Sequence, residues 1–152
     1  MNKVATTLLI VLIAVNSGWA QRGRDKDKEQ RHARIHAAKV AYITDRLKLS
    51  TEQSGKFIPV YNEYEQEIKE LRKTFIGKYK GSDRETNETT SRQYIDDNLD
   101  YQQQVIELKR RYNERFLNAI SARQLADLYK AEREFKEKLL QRLEERRGGR
   151  NK

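Results

Sequence analysis

The chain has 152 residues, of which 36% are charged and 36% are hydrophobic, and it carries a formal net charge of +9. It contains no cysteine, one proline and seven glycines. The lack of cysteine excludes a disulfide scaffold, a cysteine-ligated zinc module and a thiol nucleophile. The scarcity of turn residues argues against a β-sandwich or a doubly wound sheet, and the composition favours long, solvated helices.

The first twenty residues have the pattern of a secretory signal peptide. Lys3 precedes an apolar stretch over residues 4–15, and the small residues Gly18 and Ala20 fit the −3 and −1 positions of a cleavage site before Gln21. This stretch is shorter than the roughly 20 residues of a membrane span. We therefore expect an exported chain that keeps no integral membrane segment after cleavage and has a net charge of +8, because one lysine and no acid are removed.

The rest of the chain predicts a leader, four helices and a tail. Residues 21–28 lack apolar side chains and predict a disordered leader. One all-helical domain is expected over residues 29–146, with helices over 29–48, 51–79, 90–119 and 122–146, a loop over 80–89, and a basic flexible tail over 147–152.

Apolar stripes at helical spacing predict how the helices pack. In the second helix Phe57, Tyr61, Tyr64, Ile68, Leu71 and Phe75 form a heptad seam, and in the third Tyr94, Tyr101, Val105, Leu108, Tyr112 and Phe116 form a stripe that Ile95, Leu99, Ile106 and Leu117 widen. The fourth helix carries Leu125, Leu128, Tyr129, Phe135, Leu139 and Leu143. The prediction is a long antiparallel helical hairpin that is bent at Pro59, where a backbone donor is missing, and that self-associates as a homodimer.

Two short motifs predict helix starts. Ser50 follows Leu49 and precedes Gln53 by three residues, and Ser121 follows Ile120 and precedes Gln124 in the same way. A serine at the N-cap and a glutamine three residues later can form a capping box, in which each side chain binds the backbone N–H of the other residue.

His32 and His36 are the only histidines and lie one helical turn apart. Two imidazoles at this spacing can bind one zinc ion or another divalent transition metal, although structural zinc needs four ligands, which a symmetric partner would complete. The alternative is a pair of ordinary surface residues. The sequence otherwise contains no nucleophile elbow, phosphate loop or metalloprotease motif, so we predict no enzymatic activity, no catalytic residue and no resident cofactor. The basic ends could attract nucleic acid, but export argues against that partner.

The two capping motifs resemble the L-T-x-x-Q motifs of the Spy/CpxP family of bacterial periplasmic proteins, with serine in place of threonine and with Ile120 in place of the second leucine. The stretches 57–64 and 131–135 resemble a subgroup described as periplasmic heavy-metal sensors or sensors linked to extracytoplasmic-function sigma factors. The resemblance covers residues 30–145. It implies a periplasmic, bent, all-helical protein that dimerises into a shallow cradle.

The family that the chain resembles has members with three kinds of function. Spy-like members hold unfolding envelope proteins without ATP, and CpxP-like members restrain a membrane stress sensor. Metal-linked members bind zinc through histidine and cysteine near the N-terminus, and this chain offers only His32 and His36 there. We therefore expect a chaperone-like protein that binds non-native or partner proteins, or alternatively an envelope-stress or metal sensor.

Overall fold

The computed structural model describes residues 16–80 and 87–149, with side chains from residue 26 onward. In this part of the chain the protein is all-α and contains no strand, which confirms the predicted fold class. Its four helices are α1 (Asn16–Arg46), α2 (Thr51–Tyr79), α3 (Glu88–Leu117) and α4 (Ala122–Gly148). The chain forms two compact units, one ending at Tyr42 and the other beginning at Ile43, so that α1 belongs to both.

Helix α1 is longer than the sequence predicts. Residues 21–28 are helical, and the prediction of a disordered leader there is wrong. Half of the segment is arginine and lysine, which are good helix formers, and its charges alternate in sign over residues 24–28, so the lack of apolar residues does not prevent a helix. Residues 1–15, which hold most of the predicted signal peptide, lie outside the described residues.

The turn between α1 and α2 is a Schellman motif with lysine in the position that glycine usually takes. The N–H of Leu49 donates to the carbonyl of Thr44 at 3.2 Å, and the N–H of Lys48 donates to the carbonyl of Asp45 at 3.1 Å. Lys48 has φ = 51°, in the left-handed region. The turn brings Ser50 into position to cap α2 immediately after α1 ends.

Helices α2 and α3 form an antiparallel hairpin. At one end the rings of Phe57 and Phe116 lie 5.4 Å apart, and at the other end the rings of Tyr79 and Tyr94 lie 5.0 Å apart. Residues 81–86 of the intervening loop lie outside the described part of the chain. Pro59 lies inside α2, which continues through it, and the predicted bend stays a prediction.

The core of the second unit lies where the first halves of α2 and α4 meet the end of α3. Its fully buried large side chains are Ile43, Phe57, Tyr61, Tyr112, Phe116 and Leu128. Towards the other end of the hairpin Phe75 and Tyr101 are only half-buried, although their rings stack at 4.7 Å. The seam of the hairpin is therefore well covered only at the end where α2 and α4 begin and α3 ends.

Helix ends differ from the predicted ends by two residues at most, apart from α1. Helix α3 begins at Glu88 because Asn87 caps it, its side chain accepting a hydrogen bond from the N–H of Thr90. Helix α4 continues to Gly148, so the predicted tail begins later than residue 147. Among the helices that the structure describes, none is both long and apolar enough to cross a membrane.

Candidate functional site

Both sequence motifs form capping boxes. In the first, the N–H of Gln53 donates to Ser50 Oγ and the N–H of Ser50 donates to Gln53 Oε1, each at 3.1 Å. In the second, the N–H of Gln124 donates to Ser121 Oγ at 3.2 Å and the N–H of Ser121 donates to Gln124 Oε1 at 2.9 Å. Each box therefore satisfies two donors that a helix start would otherwise leave without an intrahelical acceptor.

The two boxes are joined by their glutamines. Gln53 Nε2 donates to Gln124 Oε1 at 3.0 Å, and Gln124 Nε2 approaches Gln53 Oε1 at 3.3 Å. Gln124 Nε2 also lies 3.2 Å from the carbonyl oxygen of Leu47, in the turn after α1. The side-chain amides thus connect the starts of α2 and α4 with the end of α1. Ile120 is buried beside this junction and Leu49 is half-buried.

The spacing of 71 residues between the motifs continues along both helices. Tyr61 Oη donates to Glu132 Oε1 at 2.9 Å, which is again a contact between positions 71 apart. Glu63 and Glu134 are also 71 apart, and each binds an arginine near the end of another helix, which is α3 for Glu63 and α1 for Glu134. Arg115 binds Glu63 at 2.6 Å and Arg46 binds Glu134 at 2.7 Å. Helices α2 and α4 are therefore parallel and in register. Sequence reasoning noted the spacing but missed these contacts.

Buried tyrosines line the inside of this region. Burial raises the pKa of Tyr61 far above its usual range, and the charge of nearby Glu132 raises it further. Burial is also the main cause of the raised pKa of Tyr64. Burial raises the pKa of Tyr112, whose hydroxyl donates to Glu67 Oε1 at 2.6 Å. The hydroxyls of Tyr61 and Tyr112 are structural donors to carboxylates, and the surroundings of all three tyrosines do not favour the phenolate that a catalytic base or nucleophile would need.

The histidines lie on α1, within the first of the two units. His32 is exposed and His36 is half-buried. Within the described residues no group of three or more His, Cys, Asp or Glu side chains is arranged to hold a metal ion. The metal site thus stays a prediction that depends on ligands from a second copy. Calorimetric titration of zinc into wild-type protein and into H32A/H36A tests it, and absence of binding heat in the wild type would exclude it.

Large apolar side chains are exposed on α2, α3 and α4. The set is Ile76, Tyr94, Ile95, Leu99, Ile106, Leu117, Tyr129, Leu140 and Leu143. Four of them, Ile95, Leu99, Ile106 and Leu117, are the residues that the sequence placed on a wider α3 stripe facing a second neighbour. Among the described residues α4 reaches this stripe at Asn113, between Ile106 and Leu117, where the Tyr129 hydroxyl donates to Asn113 Oδ1, and the four apolar side chains stay 42% to 58% exposed. This exposed apolar surface is the candidate binding site.

The chain matches no known family model, no curated protein and no solved structure.

Proposed function

We propose that this chain is a periplasmic, ATP-independent chaperone-like protein that binds non-native or partner proteins during envelope stress and works as a homodimer. The observation that carries the proposal is the set of exposed apolar side chains on a highly charged helical scaffold. Apolar surface of this kind is unusual on a monomer unless it serves as a binding site.

The physical character of the surface suits weak, reversible binding. Exposed Leu140 and Leu143 lie among Lys136, Arg142 and Arg146 near the end of α4. Long basic side chains can place their aliphatic stems along an apolar segment while the charge stays in water. Such a surface can hold an unfolded segment without a deep pocket and release it without nucleotide. The net positive charge also favours acidic clients.

The resemblance to the Spy/CpxP family supports the same proposal. The two capping motifs join through Gln53 and Gln124, which gives the repeated motif a structural role in this chain. The signal-peptide pattern supports export to a compartment where ATP is not available, so binding alone would have to keep a client soluble. Family membership itself is part of the proposal.

A light-scattering assay tests the holdase function. We expect a few-fold molar excess of wild-type protein to suppress the thermal aggregation of an acidic client enzyme, and L140S/L143S to suppress it less, because two exposed apolar side chains are lost. The matched control is Q141S/E144S, which changes two exposed polar side chains in the same segment of α4. Absence of suppression by the wild type would refute the holdase function.

The second candidate is a sensor that restrains a membrane signalling protein or an extracytoplasmic-function sigma factor pathway. The same exposed surface favours it, because a folded partner can cover apolar side chains as well as a client can. Deletion of the gene distinguishes the two roles. A regulator predicts a defined stress regulon expressed without stress, whereas a holdase predicts increased aggregation only during stress.

A further inference from the structure

The second half of α4 extends past the core with its whole surface accessible. In the first half of the helix the buried residues are Leu125, Leu128 and Ala131. Over residues 136–149 only Leu139 is half-buried, and every other residue is exposed. Leu140 and Leu143 are 49% and 46% exposed. This segment is about 20 Å long at the rise of an α-helix, so it offers an extended surface to a partner.

The charges of this segment are sorted by side around the helix axis. At about 100° of rotation per residue, three leucines and four basic residues fall within one arc of about 160° that contains no acid. The arc, which we call the basic α4 face, consists of Lys136, Leu139, Leu140, Arg142, Leu143, Arg146 and Arg147. The remaining side carries all three acids of the segment, which are Glu137, Glu144 and Glu145, together with Lys138 and Gln141.

The positive charge of the basic α4 face is not neutralised within the described part of the chain. Its four basic side chains, at positions 136, 142, 146 and 147, form no ion pair there. Residues 136–152 contain seven basic and three acidic residues, which gives a net charge of +4. The segment therefore attracts an anionic partner, and the side on which that partner would lie is the one without acids.

Leucines flanked by basic side chains fit the interface of an anionic phospholipid bilayer. The leucines can enter the boundary between headgroups and acyl chains, while the long stems of arginine and lysine let their charges reach the lipid phosphates. The acids on the remaining side stay in water. A non-native acidic segment can approach a helix from any side, whereas a planar surface meets one side only. The sorting of charge by side therefore favours the bilayer as the occupant.

We propose that the basic α4 face binds the surface of an anionic phospholipid bilayer, with this part of α4 lying in the plane of the headgroups. Such binding would give the exported protein a location that the proposed function does not specify. Leu140 and Leu143 also belong to the surface proposed for clients, so vesicles would compete with clients for them. A vesicle assay without a client lets lipid binding and the holdase function fail separately.

Cosedimentation with vesicles tests the proposal. The probes are vesicles of phosphatidylglycerol and phosphatidylcholine in equal amounts and vesicles of phosphatidylcholine alone. The gene is expressed at full length and the protein is purified as the cell processes it. We expect the wild type to sediment with the anionic vesicles at low salt, to bind them more weakly at high salt, and not to sediment with phosphatidylcholine. R142Q/R146Q should bind the anionic vesicles about tenfold or more weakly, because two charges next to the lipid surface are lost.

The matched control is K69Q/R72Q, which removes the same net charge from two exposed positions on α2. It should bind within about twofold of the wild type, because those charges lie away from the lipid surface. An equal loss in both variants would show that overall charge alone attracts the protein, and it would overturn the assignment to α4. Circular dichroism should show that both variants keep the wild-type helical content, because the changed side chains are exposed.

A fluorescence experiment tests which side of α4 meets the lipid. Trp19 is the only tryptophan of the chain, so W19F leaves an introduced indole as the sole one. In W19F/L143W the emission should shift to shorter wavelength on addition of anionic vesicles, because the indole leaves water. In W19F/Q141W, on the remaining side of the helix, it should stay unchanged. Equal shifts in both variants would overturn the proposal. So would a wild type that suppresses the aggregation of an acidic client but does not sediment with anionic vesicles, since the face would then serve clients alone.

Discussion

At the scale of single residues, the buried hydroxyl of Tyr61 is the feature with the clearest physical consequence. The side chain is fully buried, and its hydroxyl binds Glu132 across the parallel pair of α2 and α4. A phenolate formed there would lose its water and lie next to a carboxylate. The folded state therefore binds the Tyr61 proton far more tightly than the unfolded chain does, where the pKa is about 10.

This difference predicts a loss of stability at alkaline pH. Below pH 10 both states keep the Tyr61 proton and the pH has no effect through this group. Above pH 10 only the unfolded chain releases it, so the free energy of unfolding should fall by about 1.4 kcal/mol per pH unit for each tyrosine kept neutral by burial. Urea unfolding followed by circular dichroism between pH 8 and 11 measures this slope.

Tyr61→Phe removes the titrating group and should flatten the alkaline slope by about 1.4 kcal/mol per pH unit, although it also lowers stability at neutral pH by about 1 kcal/mol because Glu132 loses a donor. Tyr94→Phe is the control, since the Tyr94 side chain is half-exposed. Equal slopes for Tyr61→Phe and wild type would contradict the assignment.

At the scale of helices, the junction of the two capping boxes decides how α2 and α4 are held. Exposed glutamines usually contribute little, but Gln53 and Gln124 are partly buried and bind each other. Gln124 has three tasks, because it caps α4, binds Gln53 and lies within hydrogen-bonding distance of the Leu47 carbonyl. Its removal affects three helices at once.

We predict that Gln124→Ala lowers the free energy of unfolding by about 2 kcal/mol, because the cap and the contacts to neighbouring helices are lost together. Gln53→Ala should cost less, since among the contacts that the structure describes only Gln124 reaches the Leu47 carbonyl. Gln141→Ala, at an exposed position of α4, should change stability by less than about 0.5 kcal/mol. Urea unfolding gives the three values, and a loss in Gln124→Ala no larger than in Gln141→Ala would disprove a role for the junction.

At the scale of the whole molecule, charge is unevenly distributed. Residues 21–50 carry a net charge of +5 and residues 142–152 carry +3, whereas residues 81–120 carry −2. The acidic middle includes α3, and in the proposed function the basic ends attract acidic clients.

The proposed export makes a prediction for the intact product. Cells that express the full chain should release a periplasmic protein whose mass corresponds to a start at Gln21, because signal cleavage needs small residues at Gly18 and Ala20. Ala20→Phe should retain the uncleaved form, and Ser17→Ala should be processed normally. Intact mass spectrometry of the periplasmic fraction measures both, and an unprocessed wild-type chain in the cytosol would rule out export.

Local pattern was enough for the all-α class, the starts of α2 and α4, and most of the buried stripe. Ser50 and Ser121 act through bonds that span three residues, and Phe57, Tyr61, Tyr112 and Phe116 recur at the period of a helix. Local pattern was misleading for residues 21–28, because the prediction of disorder there assumed that a helix needs apolar residues. It also overlooked Asn87, which is followed by Thr90 at the spacing of a capping box.

Which of two similar residues is buried and which is exposed was decided by the tertiary structure alone. Tyr61 and Tyr94 are equivalent in the sequence pattern, yet one is fully buried and the other is nearly half-exposed, because Tyr61 lies in the core beside α4 whereas Tyr94 lies against Tyr79 at the opposite end of the hairpin. Likewise the pairing of Gln53 with Gln124 and of Tyr61 with Glu132 depends on the parallel register of helices that are distant in sequence. Periodicity determines the face of a helix on which a residue lies, whereas the element that covers this face is determined by contacts between distant parts of the chain.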